Sequence, residues 1–171
     1  MKNIHPSAKW LFRLRAYSSL LILSIILSFW GGTFLAAVMN FSIGFTILIT
    51  VIICIILAVI IGEIYARLAY KFWLYEFTGS QLRMERGIIW KKYSNIPYER
   101  VQNVDIQRGI IARILGFSSI NVQTAGYSAP VGRSYGGWAE GFIPAVSSEE
   151  AEKIREFLMK KISKKGRNQG L

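Results

Sequence analysis

Arg108 and Arg113 stand five residues apart in "RGIIAR". Two guanidinium forks at that spacing suit a phosphate or a carboxylate on a partner. The competing role is local: pairing with Asp105 or Glu99, or bonding carbonyls where a short helix ends, and this structural role is the expected one. A second cluster, Arg83, Arg86, Lys91 and Lys92, offers attraction to anionic lipid, where each cation near a charged leaflet contributes about 1 kcal/mol. Ordinary solvated charge is the plainer account of the same residues. Arg133, Tyr135 and Trp138 lie among glycines in "GYSAPVGRSYGGW". Aromatics in such a loop give a partner contact area at low entropic cost, and they equally suit a surface turn.

Reaction chemistry lacks its parts. His5 and Cys54 are the sole histidine and cysteine and are far apart, which argues against a zinc site or a Cys–His pair within the chain. No phosphate loop of the required spacing and no Gly-x-Ser-x-Gly elbow is present. The sequence therefore predicts no catalytic residue, no cofactor and no metal. The isoelectric point near 10.0 raises nucleic-acid binding. Yet several basic residues flank apolar runs, and aromatics do not interleave with the arginines as a stacking platform needs. Nucleic acid is not expected, and the residues identify no small-molecule ligand.

The elements that must position these residues follow from where charge is missing. The chain is 52% hydrophobic yet carries a net charge of +11. Between Arg15 and Glu63 lie 47 residues with no Asp, Glu, Lys or Arg. A bilayer crossing takes about 20 apolar helical residues, so the run fits two spans and a turn. Spans are predicted near 17–38 and 45–64, with Asn40, Ser42 and Gly44 marking the turn. The second run, "FTILITVIICIILAVII", has no polar face of the kind that buried helices of soluble proteins keep. A basic start followed by "LLILSIILSF" shares features with a cleaved signal peptide. No small-x-small site is clear and a second apolar run follows, so an uncleaved hairpin is expected. Lys2, Lys9, Arg13 and Arg15 precede the first span, Arg67 and Lys71 follow the second, and the turn is uncharged. The positive-inside rule then puts both termini in the cytoplasm of a two-span cell-membrane protein. The spans lack the ionisable residues of a conduction path. Ser18, Ser19, Ser24, Ser28 and Thr50 suit helix packing instead.

Beyond Phe72 the pattern alternates. Strands are predicted in "FWLYEFT", "LRMERG", "IIWKKYSNIPY", "VQNVDIQ", "SSINVQT" and "WAEGFIPAV", with a turn at "TGSQ". "GIIARILGF" reads as a short helical turn with Ile110, Ile111, Ile114 and Leu115 on its apolar side and Gly116 at a left-handed C-terminal position. Ser147 and Glu150 have capping-box spacing, and Ala151, Ile154, Leu158 and Ile162 then recur at helical steps, beside Phe157. The expected organisation is a basic segment over 1–16, a transmembrane hairpin over 17–66, a β domain over 67–163 and a basic tail over 164–171. The fold class is α+β: an antiparallel sandwich or partly open barrel capped by a C-terminal helix.

The motifs "YEFTGSQLRMERGII", "IPYERVQNVDIQRG", "ARILGFSSINVQTAG" and "SSEEAEKIREFL" carry a family likeness. With the hairpin before them, over residues 17–163, the chain resembles the YdbS-like group of bacterial and archaeal membrane proteins with a pleckstrin-homology-like (bacterial PH, DUF304) domain. The resemblance implies two nearly orthogonal antiparallel sheets capped by the last helix, and no catalytic residues. Ile110 departs from it, because many members have proline there. Eukaryotic PH domains that bind inositol phosphates cluster cations around the first strand turn; "TGSQ" has none, so that ligand is not expected. The reading is a non-enzymatic recognition or assembly module in the cell envelope. Its partners would be membrane lipids, a second copy, or another membrane PH-domain protein. The alternatives are an accessory subunit of a transporter or envelope enzyme, and a sensor of anionic lipid.

Overall fold

The computed structural model describes residues 1–124 and 141–168, with side chains through 162. The chain divides into two compact units, Lys9–Ala69 and Met1–Ala8 together with Tyr70–Leu171.

The first unit is formed by helices α1 (Ala8–Met39) and α2 (Ile43–Lys71). Both are long and apolar enough to cross a membrane. Each extends beyond the predicted span, and Gly44, expected in the turn, lies inside α2. The reversal needs only Asn40–Ser42, with Asn40 taking a φ of 54°. The helices meet along a seam that recurs every fourth residue. On α1 it runs Ala16, Leu20, Ser24, Ser28, Gly32 and Ala36; on α2 it runs Thr46, Thr50, Cys54, Ala58, Gly62 and Ala66. Small side chains let helix backbones approach closely, the main source of helix association in lipid. A Cβ on Gly32 would stand 2.8 Å from Ile47 Cγ1, and one on Gly62 2.5 Å from Tyr17 Cε1. The seam is closed at one end by Arg13, which grips the Glu63 carboxylate with two bonds of 2.7 Å, and Arg67 adds a third at 2.8 Å. Leu, Ile and Phe on the remaining faces are left exposed.

The second unit carries seven strands among the described residues, in two antiparallel sheets. One has the order β1 (Lys2–Asn3), β2 (Leu74–Phe77), β3 (Gln81–Arg86), β4 (Lys92–Pro97); the other has β5 (Val101–Gln107), β6 (Phe117–Thr124), β7 (Gly141–Ser147). The fold is α+β, as expected, with two separate sheets rather than a closed barrel. A 3₁₀ turn over Tyr98–Arg100 links β4 to β5, and α3 (Ile110–Ile114) links β5 to β6. Helix α4 (Ser148–Asn168) packs against β5, β6 and β7. The core brings together Leu82, Met84 and Ile96, Ile120, Val122 and Ile143, and Ala151 and Leu158 of α4. A bulge between Val101 and Asn103 resets the phase of β5, so that Val101 and Val104 are both buried although three apart.

The segment expected to be a separate basic stretch over 1–16 belongs to this fold through Ala8. Lys2 and Asn3 pair with Tyr75 and Leu74. Ile4 and Ala8 are buried, and the His5 amide donates to the Ala145 carbonyl of β7 at 2.9 Å. Both membrane helices are thus inserted between two neighbouring strands of one sheet.

Candidate functional site

The predicted site residues fall on three parts of the β domain. At the β3–β4 connection, residues expected to begin a strand at Ile88 form a loop over 87–91 instead. Its cause is Gly87, at a φ of 118°, where a Cβ would collide with the carbonyl oxygen of Trp90. The loop turns Ile89 and Trp90 into solvent, with exposures of 84% and 88%. Cations surround it. Arg86 and Lys92 are direct cross-strand partners, a like-charge pairing that destabilises a sheet. The Arg86 guanidinium stands 5.6 Å from the Trp73 ring centroid, and burial lowers its pKa. Lys91 bonds Glu85 at 2.8 Å, which raises its pKa, and its Nζ stands 5.8 Å from the Phe72 ring centroid. Arg83 lies further along β3, exposed and opposite Asn95.

The second part is α3. The Arg113 amide donates to the Gly109 carbonyl and the Leu115 amide to that of Ile111. Gly116, at a φ of 70°, then ends the helix in the left-handed conformation predicted for it. Its burial differs from expectation: Ala112 faces the core, while Ile110 and Ile114 are 71% and 78% exposed. Five residues make little more than one turn, so one small side chain fills the contact with the domain and the large ones project outward. Arg108 does not pair with Asp105 or Glu99. Its Nε donates to the hydroxyl of buried Ser118 at 2.7 Å, and that hydroxyl lies 3.4 Å from Ser148 Oγ at the start of α4. Asp105 accepts instead from Asn103 and Gln123, at 2.9 and 2.7 Å. Arg113 is exposed. Arg108 and Arg113 therefore do not converge on one side-chain partner. The third part, Arg133, Tyr135 and Trp138, lies outside the described residues.

A site that sequence reasoning missed is the Glu150 carboxylate. Ser147 Oγ accepts from the Glu150 amide at 3.2 Å, one half of the capping box. The carboxylate does not return to the cap. It accepts from Lys2 Nζ at 2.6 Å and from the Tyr75 hydroxyl at 3.1 Å. Burial, and then the carboxylate charge, raise the Tyr75 pKa far above the ordinary phenol range. This joins β1, β2 and α4 at one acid. The capping spacing was visible in sequence; a strand two residues long offers no period by which to place Lys2.

The family model for the bacterial PH domain matches residues 12–162. The chain belongs to the bacterial PH domain family. A relative in Bacillus subtilis (strain 168), the UPF0699 transmembrane protein YdbT, is 28% identical over 95 residues, 56% of this chain. The chain spans 18% of that relative's length. No solved structure matches it. With two apolar helices beside the domain, the chain is a membrane protein carrying a bacterial PH domain.

Proposed function

We propose that this bacterial PH-domain protein is a non-enzymatic recognition and assembly module, held at the cytoplasmic face of the cell membrane by two spans. The observation that carries the reading is the insertion of α1 and α2 between the paired strands β1 and β2. Hydrogen-bonded neighbours lie on one side of whatever the intervening helices cross. The PH domain is therefore fixed at the membrane by two short connections, as suits a surface that holds a partner in place. The cations preceding α1 and around the end of α2 favour the cytoplasmic side.

Assembly is supported by the helices themselves. They cover one another along a narrow seam of small residues and leave most of their apolar surface for lipid or for other spans. A second copy, or another membrane PH-domain protein, is the partner proposed. The alternative, an accessory subunit whose chemistry lies in a partner chain, differs in what it would bring along. Purification of the tagged full chain from native membranes in mild detergent decides between them. Self-association or recovery of a second PH-domain protein is expected. A stoichiometric enzyme or transporter would favour the accessory role, and a lone monomer would refute assembly. Orientation is read by labelling position 80 (Ser80→Cys, in a Cys54→Ser background) with a membrane-impermeant reagent: no reaction in intact cells and full reaction after lysis are expected, and reaction in intact cells reverses the topology.

A further inference from the structure

The four most exposed large apolar side chains among the described residues of the PH domain are Trp90, Ile89, Ile114 and Ile110, at 88%, 84%, 78% and 71%. They match or exceed every large apolar residue on α1 and α2, where Trp30 at 71% is the extreme. Leaving such side chains in water forgoes about 1.5–3 kcal/mol of burial for each. They form two tips, the 87–91 loop and α3. Each tip touches the chain where it joins the membrane helices. Lys91 lies over Phe72, the residue that follows the end of α2 at Lys71. Ser7, the residue before the start of α1 at Ala8, donates its hydroxyl to the carbonyl of Leu115 at 3.2 Å, where α3 ends.

We propose that these tips are lipid anchors: Ile89 and Trp90, beside the residue that follows α2, and Ile110 and Ile114, beside the residue that precedes α1, dip into the interfacial layer of the membrane that α1 and α2 cross. The inference rests on the spanning part of the function proposed above and is independent of the assembly part. Three observations favour lipid over a protein partner. The tips stand beside the two points at which the chain leaves the domain for the helices. Their composition, tryptophan and isoleucine fringed by arginine and lysine, is that of a membrane interface, where indole sits at headgroup level. Arg86 and Lys92 are cross-strand partners on β3–β4, and Arg108 and Arg113 flank the second tip in sequence, so both tips carry cations that anionic headgroups attract. Glu85, the acid next to the first tip, is already held by Lys91.

The test uses the full chain in nanodiscs of mixed phosphatidylcholine and phosphatidylglycerol, with a nitroxide at one site at a time. The sites are position 90 (Trp90→Cys), position 114 (Ile114→Cys) and position 80 (Ser80→Cys), each in a Cys54→Ser background, and native Cys54 in the unaltered chain. Position 80 lies at the other end of β3, about 20 Å from the loop at 3.3 Å per residue. Collision with oxygen, which partitions into lipid, and with a water-soluble nickel chelate is read by electron paramagnetic resonance. Labels at 90 and 114 are expected to collide with the chelate several-fold less than the label at 80, and with oxygen more. Chelate collision at 90 and 114 equal to that at 80, with Cys54 in lipid, overturns the anchoring alone. Shielding from both reagents shows a protein contact and also overturns it. A Cys54 label open to the chelate sinks the spanning reading itself.

Discussion

Two connections in the same sheet differ by more than tenfold in length. β3 reaches β4 through five residues, and β1 reaches β2 through seventy, which include both membrane helices. The short connection is specified by one position, Gly87, whose backbone conformation no other residue adopts without strain. The long one has no turn geometry to define its register. For a flexible chain its closure is costlier by about 2 kcal/mol, close to four doublings of length. It is offset by what the residues just after β1 bury: Ile4, 2% exposed, and Ala8, fully covered. A hairpin can therefore be held by its turn or by its flanks, and this sheet uses each once.

Substitutions should separate the two devices. Ile4→Ala removes the anchor of the long connection and is expected to destabilise the PH domain by about 3 kcal/mol, as large-to-small changes in a core do. Urea unfolding of the full chain in detergent measures it, and a loss below about 1 kcal/mol would make β1 an ornament of the sheet. Gly87→Ala strains the short connection and is expected to cost about 2 kcal/mol, with the helices unaffected by circular dichroism. A neutral effect would mean that the loop relaxes freely. Tyr75→Phe is the smallest. It removes one bond to Glu150, worth about 1 kcal/mol. It also changes the pH response, because the Tyr75 pKa in the folded protein is raised above its ordinary value of 10.0. The stability tied to the neutral phenol is present below that value and is lost as pH rises from there toward the folded pKa. The variant should therefore lose less stability than the parent between neutral pH and strongly alkaline solution, and parallel pH profiles would remove Tyr75 from the account.

Most of the architecture was legible in the residues. The uncharged run set the helices, alternation placed β2, β3, β5 and β6, and Ser147 with Ala151, Ile154 and Leu158 set the last helix. What escaped has physical reasons. β1 is two residues long, too short for any period, and seventy residues separate it from its partner strand. Ile88 to Trp90 read as a strand because apolar residues look alike whether they face a core or a loop; only the conformation at Gly87 decides. The same ambiguity hid the exposure of Ile110 and Ile114. The predicted site was legible as types but not as partners, since Arg108 bonds a serine from β6 rather than either nearby acid.

The pairing of Lys2 and Asn3 with β2 also orders events at the ribosome. The first strand is synthesised well before its neighbour, and waits while both helices are threaded into the bilayer. Were only one of the two helices to cross, Ile4 and β2 would be left in opposite compartments, and no later folding could join them. Completion of the sheet thus acts as a check on insertion, and a misthreaded chain is left with an open strand edge and an unfilled core position.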